Sequence, residues 1–106
     1  MIKDKHTSVI RGVLADELAR NERMKRRYLT ELDTLPKGSL MLRRIGKQEY
    51  YYLKYRENKN VKSEYLGKKG EIDIESIKDK IGKRKHIEKI IKNLEVEEKE
   101  INRTLK

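Results

Sequence analysis

Gln48-Glu49-Tyr50-Tyr51-Tyr52-Leu53-Lys54-Tyr55-Arg56 holds four of the chain's six tyrosines, and cations flank them. Tyrosine favours a pleated, half-buried surface, so the run reads as a β-strand. Alternation then sorts it into two faces. Tyr51, Leu53 and Tyr55 share one face, while Tyr50, Tyr52, Lys54 and Arg56 share the other. Leu53 marks the first as the core side. The opposite face presents two phenol rings beside two cations, and such rings can stack on nucleobases while Lys and Arg neutralise phosphate.

The period of two continues on both sides of this run. Gly46-Lys47 and Glu57-Asn58-Lys59-Asn60 separate three strand-compatible segments, residues 39–45, 48–56 and 61–66. Gly and Asn tolerate positive φ in tight loops, so the expected unit is a three-stranded antiparallel meander. Further out the period changes to that of a helix. Val9, Ile10, Val13, Leu14, Leu18, Met24, Tyr28, Leu29, Leu32 and Leu35 form the first stripe, with Thr7 or Ser8 as its N-cap. Ala19, Arg20, Asn21, Glu22 and Arg23 interrupt it, which predicts an exposed or bent middle turn. Pro36 disfavours helical geometry in the preceding residue, so this helix must stop near Leu35, and Gly38 supplies a turn.

Beyond Gly67-Lys68-Lys69-Gly70, Ile74, Ile77, Ile81, Ile87, Ile90, Ile91, Leu94, Ile101 and Leu105 return at helical spacing, interrupted by Glu98. Gly82 leaves two readings open, a short helix followed by a longer one or a single helix with a weak point. Glu71, Asp73 and Glu75 suit the start of this region, and Arg103 and Lys106 its end. The expected fold is α+β in one small domain: a long N-terminal helix, residues 1–36; a basic sheet, 37–69; and a C-terminal helical region, 70–106. The two helical regions pair antiparallel. Sustained Ile and Leu spacing also suits a coiled coil, so a homodimer through the helices is a second use of the stripes.

A chain of 106 residues with 43% charged side chains and neither Trp nor Phe cannot bury a large core. Its apolar residues are nevertheless periodic, which argues against disorder. The absence of cysteine excludes disulfides and thiolate metal sites. Met1 to His6 lack the apolar run of a signal peptide, and no apolar stretch of about 18 residues spans a membrane. The expectation is a soluble, cytoplasmic protein with no membrane partner.

The net charge of +10 is concentrated in the middle of the chain. Residues 1–36 carry eight cations and six anions, residues 37–69 ten and three, and residues 70–106 ten and nine. Two nearly balanced helical flanks thus enclose one electrostatic footprint.

Catalytic and metal chemistry find no constellation here. His6 and His86 are the only histidines and lack partners at zinc spacing. Ser8, Ser39, Ser63 and Ser76 occupy no strained nucleophile turn. Glu95, Glu97, Glu98 and Glu100 are explained as a helical charge run. Gly67-Lys68-Lys69-Gly70 lacks Walker spacing and a following Ser or Thr, so it reads as a basic turn. The expectation is a non-enzyme without a cofactor.

The positive case is a basic, tyrosine-bearing sheet. Its expected contact residues are Tyr50, Tyr52, Lys54 and Arg56, extended by Arg43, Arg44, Lys47, Lys62, Lys68 and Lys69. Two modes remain open, a sheet entering a DNA major groove or tyrosines stacking unpaired DNA or RNA bases. Against both stands a structural explanation, in which tyrosines complete a small core and lysines protect exposed strand edges.

Leu35-Pro36-Lys37-Gly38-Ser39-Leu40, Tyr50-Tyr51-Tyr52-Leu53-Lys54-Tyr55-Arg56-Glu57 and Val61-Lys62-Ser63-Glu64-Tyr65-Leu66-Gly67-Lys68 together resemble small bacterial and phage proteins of mobile elements. They are also similar to hairpins near the beginnings of some transposases. The resemblance covers residues 35–69, implies a mobile-element setting with a nucleic-acid-facing sheet, and transfers no catalytic residue. It raises a second class, a phage-encoded inhibitor of a nucleic-acid-guided defence nuclease of the anti-CRISPR type. A helical adaptor that recruits a protein through an exposed stripe is a third.

Overall fold

The computed structural model describes the backbone of residues 2–106 and side chains from Ser8 onwards. The element order is α1 (Ile2–Leu32), β1 (Ser39–Ile45), β2 (Gln48–Glu57), β3 (Asn60–Lys68) and α2 (Ile74–Leu105). The fold is α+β, as the two periodicities require. The chain forms two compact units. One comprises Met1–Asp33 and Ile87–Lys106, the other Thr34–His86.

In the first unit α1 and the second half of α2 run antiparallel. Arg11 donates to the carbonyl of Leu105, and Asn21 to that of Leu94, so positions descend along one helix as they rise along the other. Leu14, Leu18, Asn21, Lys25, Tyr28 and Leu32 follow alternating steps of four and three, as do Ile87, Ile91, Leu94, Glu98, Ile101 and Leu105. This is the spacing of a coiled-coil seam. Ile87, Ile91, Leu94 and Ile101 are buried along it.

Two expectations change here. The middle turn of α1 is no break, because α1 is continuous, and it is exposed at Ala19, Arg20, Glu22 and Arg23 but not at Asn21, which is only 1% exposed. Position 21 falls on the seam, and a carbonyl of the facing helix accepts from its amide, so a polar residue continues the apolar stripe. The N-cap expectation also fails. α1 begins at Ile2, which leaves Ser8 inside the helix, where a Ser tolerates the interior at modest cost. The side chains of His6 and Thr7 lie outside the described residues. Gly82 does not divide α2, which runs unbroken from Ile74 to Leu105.

The second unit contains the sheet, ordered β1-β2-β3 with both pairs antiparallel. Two-residue loops set the register. Gly46, with φ of 64°, and Asn58, with φ of 58°, occupy the first loop positions, where positive φ lets the strands reverse without splaying. β2 and β3 each extend beyond the expected strands, to Glu57 and over Asn60–Lys68. A β-bulge lies opposite Tyr51 and Tyr52, where Tyr51 pairs with Gly67 but Tyr52 with Tyr65, which leaves Leu66 as the extra residue.

Leu53, 4% exposed, marks the buried face of the sheet, and Ile81 of α2 is buried in the same unit. Close approach explains Gly38. Its φ is 115°, and a Cβ there would overlap the carbonyl oxygen of Lys54. At the start of α2, Asp73 accepts from the backbone N–H of Ser76 at 3.1 Å, an N-cap bond. Arg84 donates to the carbonyl of Leu35 at 2.9 Å.

Candidate nucleic-acid interface

Cross-strand partners point to the same side of a sheet, so the register assigns every strand residue to a face. Leu40, Leu42 and Arg44 join Glu49, Tyr51, Leu53, Tyr55 and Glu57, with Lys62 and Glu64 from β3. On the other side, the Tyr52 face, three rows cross the strands. They are Ser39-Lys54-Ser63, Met41-Tyr52-Tyr65 and Arg43-Tyr50-Lys68, with Arg56 and Val61 at one end and Ile45 and Gln48 at the other.

Charge is sorted by this register. The Tyr52 face carries Arg43, Lys54, Arg56 and Lys68 and no carboxylate from any strand. The Leu53 face carries Arg44 and Lys62 against Glu49, Glu57 and Glu64. One side of the sheet is therefore purely cationic and the other slightly acidic. Lys68 belongs to the cationic side only because of the bulge. Uninterrupted alternation from Tyr65 would turn position 68 to the opposite face, and the extra residue Leu66 reverses that phase. Gly67 then faces the Leu53 side, where a Cβ would collide with the side chain of Ile72.

The rings on the cationic face contact one another. Tyr52 and Tyr65 meet edge to face with centroids 5.6 Å apart, and Tyr50 lies 6.2 Å from Tyr65. The Arg43 guanidinium sits 5.2 Å from the Tyr52 centroid, within cation–π range. Tyr50 and Tyr52 are half-buried, whereas Tyr65 is 56% exposed. Inner Tyr51 and Tyr55 are also half-buried, so burial alone does not separate the two pairs.

The expected contact residues divide accordingly. Tyr50, Tyr52, Lys54, Arg56, Arg43 and Lys68 come together on one face. Arg44 and Lys62 lie on the other, where Lys62 pairs with Glu57 at 3.1 Å. Lys47 occupies the β1–β2 loop. Lys69 lies just past β3, pairs with Glu49 at 3.4 Å and donates its backbone N–H to the Glu49 carbonyl. Lys68 reaches the Glu71 carboxylate at 4.0 Å. No ion pair among the described residues involves Arg43, Lys54 or Arg56.

Sequence reasoning missed Tyr65 and Met41 as members of this surface. A signal for Tyr65 was available. A two-residue loop at Asn58-Lys59 pairs Glu57 with Asn60, and counting back along both strands places Tyr65 opposite Tyr52.

On the helix seam one pair of opposite charges meets. The Lys25 ammonium donates to the Glu98 carboxylate at 2.6 Å, with about a quarter of each side chain exposed. Side chains tilt towards the N-terminus of their own helix, so in an antiparallel pair these two lean towards each other. The hydrogen bond to Glu98 raises the lysine above its usual 10.5, burial opposes this, and the charges of Glu98, Glu95 and Glu22 add to it. Asn21 Oδ1 meets no donor among the described residues.

Two hollows are open to solvent. One, of about 300 Å³, is lined by Pro36, Leu53 and Tyr55 with Lys37 and Arg56 against Glu57 and Glu64; the other, of about 410 Å³, by Leu29 with Lys25 and Arg26 against Glu22 and Glu98. Cations and carboxylates balance in both, so neither favours one sign of ligand. Among the described residues, no group of three or more His, Cys, Asp or Glu could hold a metal ion. No helix among them is long and apolar enough to cross a membrane.

Fold and surface together define a small α+β protein with a seamed helix pair and a cationic, tyrosine-bearing three-stranded sheet. The chain belongs to the DUF6788 family, a domain of unknown function, whose family model matches residues 14–76. That segment contains the whole sheet and all ten expected contact residues. No curated protein and no solved structure matches the chain.

Proposed function

We propose that this protein is a non-enzymatic nucleic-acid-binding accessory protein of a phage or mobile element, with the Tyr52 face as its contact surface. The observation that carries this reading is the sorting of charge. Four cations and no strand carboxylate share one face with three tyrosines, although carboxylates are present in the same strands. A face that only needed solubility gains nothing from excluding acids, whereas a polyanion repays it. The test is a salt titration of purified protein against labelled duplex DNA, single-stranded DNA and RNA. Joint replacement of Arg43, Lys54, Arg56 and Lys68 by Gln should abolish salt-sensitive binding. Wild-type protein that shows none with any of the three nucleic acids would sink the proposal.

The same charge asymmetry supports a second reading, a phage-encoded inhibitor docking this face on an acidic surface of a guided nuclease. Co-purification with such a nuclease, and loss of its target binding or cleavage, are the expected results. Neither effect across several nuclease types would count against it.

A further inference from the structure

Resting on the nucleic-acid reading above, we propose that the ligand is duplex DNA in B form, with its major groove seated against the Tyr52 face. Three observations select it over a single strand or an RNA duplex. The first is the state of the rings. A base stacks on a ring whose face is clear, but Tyr52 has the Arg43 guanidinium over it and Tyr65 against it, and Tyr50 leans on Tyr65. The tyrosines form a packed ridge and not a row of open platforms.

The second observation is the spacing of charge. The row containing Lys54 and the row containing Arg43 and Lys68 are separated by four residues of β2, about 13 Å at the usual rise of a strand. The uncharged row Met41-Tyr52-Tyr65 lies between them. Cations on rows this far apart match two lines of phosphate about 12 Å apart, with the tyrosine row over the base edges between them. Phenol hydroxyls can donate to or accept from those edges, and the Met41 thioether offers apolar contact to a thymine methyl.

The third is groove shape. Cation rows that run across the strands set the groove across them too, so the face lies over a wide B-form major groove of about 12 Å with its strands crossing it. The major groove of an A-form RNA duplex is deep and narrow and does not admit this face. Small Ser39 and Ser63 flank Lys54 across the strands, so its ammonium stands clear of neighbours on its own row.

The experiment compares duplex DNA, its single strands and the RNA duplex of the same sequence by fluorescence anisotropy from about 50 to 200 mM salt. Duplex DNA should bind tightest, by about tenfold or more, with a log–log salt slope of about −3.6 for four phosphate contacts. Single Gln substitutions at Arg43, Lys54, Arg56 or Lys68 should each reduce that slope by about one. Arg44→Gln and Lys62→Gln remove the same charge from the opposite face and should leave it unchanged. Circular dichroism of every variant separates lost contact from lost fold. Single strands or duplex RNA binding as tightly as duplex DNA would overturn this inference while leaving the nucleic-acid reading intact. Equal slope losses from Arg44→Gln and Lys62→Gln would overturn the assignment to this face. Absence of salt-sensitive binding to all three ligands would overturn both.

Discussion

The helix pair and the sheet use similar residues in opposite ways. Along the helix seam, Lys25 meets Glu98 and the Asn21 amide meets a backbone carbonyl, so polar groups are consumed inside the unit. On the sheet, the register gathers Arg43, Lys54, Arg56 and Lys68 on one side without a strand carboxylate. Charges that meet partners inside a fold select its register, whereas charges kept apart from acids project a field outward. Net charge alone is a poor guide to either surface. The middle third is basic through the four cations of the Tyr52 face and four lysines outside the strand faces, Lys37, Lys47, Lys59 and Lys69, while the other face of the same sheet carries more acid than base.

Leu53→Ala gives the largest expected effect. Leu53 is a buried apolar side chain of the sheet, 4% exposed, so truncation should cost about 2–5 kcal/mol in urea denaturation, against under about 1 kcal/mol for Tyr65→Phe on the cationic face. Similar losses at both positions would show that the tyrosine ridge is a second core and not a contact surface.

Asn21→Leu tests the seam. The substitution removes a buried acceptor without a donor and adds apolar contact, so stability should rise by about 1–2 kcal/mol. The variant should also lose part of the discrimination between registers that a buried amide provides, visible as self-association in sedimentation. A fall in stability would mean that the bond to Leu94 outweighs the orphaned oxygen.

A double-mutant cycle with Lys25→Met and Glu98→Gln should return a coupling of about 1 kcal/mol, near the top of the range for pairs not fully buried. The lysine is raised in the folded state, so its contribution is complete below the usual 10.5 and lost as pH climbs through the folded value. Wild type should therefore lose stability faster than Lys25→Met above pH 10.5, and the two should run parallel near neutrality. Parallel curves throughout the alkaline range would remove the pair from the contrast.

Gly82→Ala is the smallest effect and has the opposite sign. Nothing lies within 4 Å of the added methyl, and the residue is exposed within a continuous helix. Melting should show a gain of about 0.5–1 kcal/mol. A loss would indicate that α2 bends at this position in solution.

Much of this was legible beforehand. Two changes of period separate helix, sheet and helix, and the alternation through Tyr50 to Arg56 separates the faces of β2 without any structure. The polarity of Asn21 suggests exposure, but a seam position can be filled by an amide when the facing helix offers a carbonyl. Glu98 looked like a gap in its stripe for the same reason. Neither Lys25 nor Glu98 announces its partner, since they lie 73 positions apart and only the antiparallel stagger brings them together.

Local pattern, then, determined the elements, the turns at Gly46 and Asn58 and the face of each residue in β2, because these depend on near-neighbour sterics and a period of two. Which cations stand together was decided only in three dimensions. Arg44 and Lys62 turn away from Tyr50, Tyr52 and Tyr65, and Lys68 turns towards these three because one unpaired residue, Leu66, shifts the phase of β3. A bulge is set by pairing between strands and by the space that Gly67 leaves for Ile72, and no period within β3 alone encodes it.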